Sequence, residues 1–400
     1  MRILFVAMAD SIHTARWINQ ISQQDWDIHV FDFNEGGVNA ELSNVTTHTV
    51  YPPSKQQTRL KACESNFPFR LRYGFVRRNL PSLLERHLFP PRVESFVKLV
   101  NELKPDILHS LEMQHESYPL LEAKRELGGR FRMPWVYSSW GSDIYHFINQ
   151  PEHRDRIKSV LNECDYHIAD CERDVRLAKE NGFKGETLGV FPTAGGYDVK
   201  KLRGLIEVES VSDRKTIALK GYQHWAGRAL TALRALRLCA DLLKDYTVEI
   251  YLADKQVRKF AREFSLSTGV PVKIIQHAQN IEILKLFGRS RISIGMSITD
   301  GTPNTMLEAM IMGAFPVQSD TISTAEWITG GENGFLVPPE DVEYTAQAIK
   351  RALTDDELVN RAAGLNKELT LKRINYAIVQ PQIVNLYEKV YQQDFRQSEN

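Results

Sequence analysis

Short apolar runs rich in β-branched and aromatic residues alternate along the chain with longer amphipathic stretches. That alternation predicts parallel sheets joined by crossover helices. In the first half, Ile3–Ala7, Ile28–Phe33, Ile107–Ser110, Trp135–Ser138 and His167–Ala169 read as strands. Helical spacing lies between them, as in His13–Gln23 and Val93–Leu103. In the second half the strand runs are Thr216–Leu219, Val248–Leu252, Val272–Ile275, Ile292–Gly295, Phe315–Gln318 and Phe335–Val337. Helical patterns again separate them, among them Arg228–Leu243 and Tyr344–Leu353.

Between the two series stands "GVFPTAGGYDVKK" (189–201), with one proline and three glycines. It reads as a linker and divides the chain into a first α/β domain at 1–195 and a second at 196–375. The remaining 376–400 hold a helical pattern, Ile378–Gln392, whose apolar positions Ile383, Leu386, Tyr387 and Val390 suit a return to the first domain. No repeat of 20–50 residues and no low-complexity tract interrupts this organisation.

Composition narrows the class. The 400 residues carry 50 basic and 50 acidic side chains, so no global field draws the chain to nucleic acid. Cys63, Cys164, Cys171 and Cys239 form no C-x-x-C pair and read as reduced structural thiols. "MRILFV" is too short for a signal-peptide core, and no uncharged run nears a membrane span, so the expected location is the cytosol.

Ligands of open parallel sheets bind at loops following the strands. After Gly295 comes "MSITDGTPNTMLEAMIMG", where Thr302-Pro303 reads as a helix cap followed by a first-turn proline, and Gly313 as the stop. The exposed amides expected over residues 303–305, with the helix dipole, make a site suited to an anion such as phosphate. Glu308 shares a face with Asn304 and Thr305. A carboxylate on so apolar a helix needs partners, either ligand hydroxyls or a neighbouring arginine or amides. In the first domain the loops hold Asp10, His13 and Arg16 in "MADSIHTARW", and Trp140 and Asp143 in "SSWGSD". No G-x-G-x-x-G follows the first strand, which disfavours a dinucleotide-binding dehydrogenase.

Asp300, seven residues, then Glu308 inside "LEAM", followed by "GENGFLVPPEDVE", resembles the donor motif of the retaining glycosyltransferases of family 4. In that family the first acid of the pair is a glutamate. "MRILFVAMADSIHTARWINQI" is similar to the family's first strand–loop–helix, and "FPTAGGYDVKKL" to its end-of-domain turn. The resemblance implies a GT-B fold, two facing Rossmann-like domains with a cleft between them. It implies that Glu308 holds the ribose hydroxyls of a nucleotide diphosphate sugar, that Asp300 contacts the transferred sugar, and that Gly301, Thr302, Pro303, Asn304 and Thr305 meet sugar and diphosphate. Lys220 and Arg228, on either side of Gly221, stand near the family's basic pair and would neutralise the leaving diphosphate, though offset in register. His277 stands where members contact the base. Asp10, His13, Arg16, Trp140 and Asp143 fall on the acceptor side.

The implied activity is metal-independent, retaining transfer from a UDP- or GDP-sugar to a saccharide or lipid-linked acceptor, with no cofactor, in surface polysaccharide or glycolipid synthesis. Two other readings stay open: a nucleotide-sugar epimerase of the same fold, and a non-catalytic sugar-nucleotide-binding partner. The stretch 67–92 mixes six arginines, four phenylalanines and a tyrosine with one acid, Glu85. It reads either as a solvated segment or as a contact with the inner face of the membrane.

Overall fold

The computed structural model describes residues 1–34, 37–49, 60–62, 92–276 and 278–398. The basic-aromatic stretch 67–92, apart from Arg92, lies outside the described residues, and so do Cys63 and His277. Two compact units emerge. One comprises Met1–Ala169, Asp174–Ala194 and Pro381–Asn400; the other comprises Asp170–Arg173 and Gly195–Gln380.

The first unit is built on β1 (Arg2–Val6), β2 (Asp27–Asp32), β3 (Thr46–Thr49), β4 (Leu60–Ala62), β5 (Ile107–Leu111), β6 (Trp135–Ser138), β7 (Tyr166–Ala169) and β8 (Glu186–Val190). Among the described residues they form one parallel sheet in the order β4-β3-β2-β1-β5-β6-β7-β8. Ile3, Leu4, Phe5 and Val6 are all fully buried, as expected of a strand covered on both faces by crossover helices. Strands β3, β4 and β8 escape the sequence pattern, being short or only partly buried: Glu186–Val190 never closes over completely and carries Gly189.

The second unit holds β9 (Thr216–Lys220), β10 (Thr247–Tyr251), β11 (Val272–Ile275), β12 (Ser290–Gly295), β13 (Phe315–Ser319) and β14 (Phe335–Val337). Their order is β11-β10-β9-β12-β13-β14, again parallel. Each sheet reverses its winding once, between β1 and β5 in the first and between β9 and β12 in the second. At such a reversal the loops leaving two adjacent strands part in opposite directions and open a crevice.

Two predicted helices are shorter in the structure, and the one expected over His13–Gln23 is helical over Ile12–Asn19. The stretch expected to run from Arg228 to Leu243 is helical over Ala229–Arg237, and a tight turn at Ala240–Leu242 then carries Leu243 into the core. The last helix, Tyr376–Ser398, contains Pro381, which lacks the N–H for its intrahelical bond, and the division between units falls there. Its Tyr387 hydroxyl accepts from Trp17 Nε1 at 2.9 Å and lies 2.7 Å from His109 Nδ1, while His109 Nε2 meets Ser138 Oγ at 2.8 Å. Burial pushes the His109 imidazole down to about 3, so it stays neutral. Cys164, Cys171 and Cys239 are buried.

Candidate functional site

At the reversal of the second sheet, β9 ends in Lys220 and β12 runs into the loop 296–303 and the helix Asn304–Ile311. Lys220 sits with its ammonium 4.9 Å from the centre of the Tyr222 ring and close enough to Asp300 to stabilise that carboxylate. Burial raises the Asp300 carboxyl above its usual range, and Lys220, the Gly301 amide and Arg173 oppose that rise. Burial also raises the Tyr222 phenol, with Asp254 and Asp300 adding to it, so it remains a neutral hydrogen-bond donor. Gly221 is pinned in place, its N–H donating to Tyr251 O and its carbonyl accepting from Asp254 N.

The helix start departs from the sequence reading. Pro303, with extended backbone, is the cap, and Thr302 is not: its hydroxyl donates to Asp170 O at 2.7 Å and its amide to Asp170 Oδ2 at 3.3 Å. Pro303 has no N–H, so the amides heading the helix belong to Asn304 and Thr305. A Cβ on Gly301 would stand 1.9 Å from Asp170 Oδ2, so a larger residue there would have to displace that carboxylate. Asn304 Oδ1 accepts from the Tyr197 hydroxyl at 3.1 Å. Glu308 is 2% exposed, and the Asn280 side-chain amide donates to its Oε1 at 3.2 Å. Tyr251, whose phenol burial holds neutral, bonds Thr305 beside that carboxylate. Arg228 is bonded to Glu340 and to the carbonyls of its own loop. Its Nε meets Glu340 at 2.7 Å, and Nη1 donates to Gly227 O at 2.9 Å and lies 3.3–3.4 Å from the carbonyls of His224, Trp225 and Ala226.

Two residues the sequence reading passed over belong to this cluster. Asp170 and Arg173, from "ADCERD", meet the loop at Asp300–Thr302 across more than 120 positions of chain. No local spacing signals such a contact.

In the first unit the reversal lies between β1 and β5. Ser11 caps the helix Ile12–Asn19, and His13 on its first turn meets the Trp140 ring edge-on, centroids 5.9 Å apart. Asp10 is exposed, and Arg16 follows one turn on. Asp143 is buried at 3% exposure, its Oδ2 accepting from the Trp140 amide at 2.8 Å and the Tyr137 hydroxyl at 3.1 Å. Its carboxyl therefore shapes the Trp140 loop. Burial together with the Glu112 charge raises it well above the usual range. A cavity of about 420 Å³ opens beside Arg2, Trp26 and Asp106, at the amino ends of the first unit's strands, the opposite end from its His13 and Trp140 loops.

Two family models match the chain: "Glycosyl transferases group 1" over residues 229–355, and "Glycosyl transferase 4-like" over 2–69 and 79–170. An exopolysaccharide phosphotransferase of Streptomyces coelicolor is 45% identical over 58 residues, which span 14% of this chain and 6% of that protein. Among solved structures, a sucrose-phosphate synthase from Thermosynechococcus elongatus is similar at 15% identity and TM-score 0.71, covering 98% of this chain and 99% of that one. Anabaena HepE in complex with UDP-glucose is similar at 16% identity and TM-score 0.69, covering 97% of this chain and 100% of that one. The family matches in both halves and the doubly wound sheets agree, and the chain belongs to the glycosyltransferases of the GT-B fold.

Proposed function

We propose that the chain is a metal-independent, retaining glycosyltransferase that takes a sugar from a UDP- or GDP-sugar and passes it to a saccharide or lipid-linked acceptor. The observation that carries this reading is the junction of Lys220, Asp300 and the head of the helix Asn304–Ile311 at one strand reversal. Asp300 accepts from hydroxyls of the bound sugar and Glu308 from the ribose. The Lys220 ammonium, the neutral Tyr222 phenol and the amides of Asn304 and Thr305 take up charge as the C1–O bond to the diphosphate breaks. The diphosphate leaves with the bonding electrons, the acceptor oxygen attacks C1 from the same face, and its proton passes to the departing phosphate oxygen. Arg228 supports this indirectly, by fixing the loop after Gly221.

UDP-glucose is the first donor to test, because the similar Anabaena protein was crystallised with it. A thermal-shift panel of nucleotide sugars should single out a donor, which at 100 times its dissociation constant adds about 2.7 kcal/mol. Turnover is then read as labelled sugar transferred to saccharide and lipid-linked acceptors. Asp300→Ala and Glu308→Ala should each lower it at least about a hundredfold. Full turnover in both folded variants overturns the site assignment. Binding without turnover on any acceptor favours the non-catalytic reading, and conversion of the donor's sugar favours the epimerase. Among the described residues no helix is long and apolar enough to cross a membrane. A cytoplasmic protein that meets the inner membrane face through 67–92 belongs to the same proposal, and sedimentation with anionic vesicles tests it.

A further inference from the structure

We propose that Arg173 is a positioning residue for the transfer: by gripping the carbonyls of Asp300 and Thr321 it sets the turn that aims the Asp300 carboxylate at the donor sugar. The inference rests on the functional reading above. Arg173 is 3% exposed, and its Nη1 donates to Asp300 O and to Thr321 O, both at 2.8 Å. The Glu326 carboxylate accepts from the amides of Glu172 and Arg173, at 3.0 and 3.2 Å, and so fixes the backbone from which the guanidinium reaches. Ser323, beside Thr321, donates to Gly301 O at 2.7 Å, and Asp170 takes both the hydroxyl and the amide of Thr302. Every residue of the turn 300–302 is thereby held from outside itself. A buried guanidinium used on carbonyls must offset a large loss of hydration, and the rigid turn is what that arrangement provides.

The same group acts on charge. Lys220 at the end of β9, Tyr222 beyond it and Arg173 all face the Asp300 carboxyl, and the Gly301 amide donates to it. Removing Arg173's charge leaves burial less opposed, so Asp300 holds its proton to higher pH. The acid limb of kcat/KM then moves upward in pH.

The test labels aspartate carboxyl carbons with ¹³C, assigns the Asp300 signal with Asp300→Asn, and follows its titration midpoint by NMR. In Arg173→Gln the midpoint and the acid limb should rise together, with kcat/KM down about tenfold or more. UDP should bind within about twofold of the parent, because the diphosphate contacts are untouched. Arg173→Lys should return the midpoint. Ser323→Ala should lower kcat/KM while leaving the midpoint in place, since it loosens the turn and keeps the charge. A folded Arg173→Gln protein with an unmoved midpoint and unchanged kcat/KM overturns the inference. A midpoint that moves in a chain that transfers no sugar leaves Arg173's hold on Asp300 standing and removes the functional reading instead.

Discussion

Asp32 ends β2 with its carboxyl between two amides, Ala9 N at 3.1 Å and Asn34 N at 2.7 Å, yet burial wins and raises it from 3.8 to about 6. The folded chain therefore holds a proton that the unfolded chain releases between those values, and stability falls as pH rises through the window. Chemical denaturation should show a loss of about 3 kcal/mol across it, and Asp32→Asn should remove most of that slope. A second residue-scale expectation concerns Gly301. Gly301→Ala forces its new Cβ against Asp170 and should cost on the order of 1–3 kcal/mol. Adding Asp170→Ala should return part of that loss, a coupling that a double-mutant cycle measures directly. The acids Asp300 and Glu308 were legible in the sequence because a motif and a helical face single them out. Asp170 and Arg173 were not, since their partners lie far along the chain and are mostly backbone atoms.

The helix Asn304–Ile311 shows what local pattern can and cannot specify about an element. Its stop is written locally. Gly313, at φ +82°, donates to Met310 O and Ala314 donates to Ala309 O, the paired bonds of a Schellman turn. Gly313→Ala should cost about 1 kcal/mol in thermal unfolding through that left-handed position alone. Its start depends on tertiary structure, because the Thr302 hydroxyl that pattern assigns to the helix is taken by Asp170 O. The strands follow the same division. Central ones such as Arg2–Val6 and Trp135–Ser138 stand out as apolar runs, whereas Thr46–Thr49, "TTHT", has no such run and pairs because β2 presents it an edge.

At the scale of the whole molecule, the chain leaves the first unit, builds most of the second, and comes back to the first at Pro381. The return has an energetic basis in the final helix. Ile383, Leu386, Tyr387 and Val390 are between 0 and 5% exposed, and burial of such side chains contributes about 1.5–3 kcal/mol each. Their sum is comparable with the roughly 5–15 kcal/mol that keeps a domain folded. Truncation after Gln380 should therefore unfold the first unit and leave the second, which hydrogen exchange resolves: amides of β1 and β5 lose protection and those of β9 and β12 keep it. Tyr387→Phe is the graded version. It strips the hydroxyl that Trp17 Nε1 donates to and leaves His109 Nδ1 with one partner fewer in a dry core, for about 1–3 kcal/mol. Because His109 stays neutral down to about pH 3, that loss should be flat from pH 5 to 8, whereas a charged His109 would make it depend on pH. Protection of β1 surviving the truncation would instead mean that the first sheet folds without the returning helix, and that the helix is held by the unit more than it holds it.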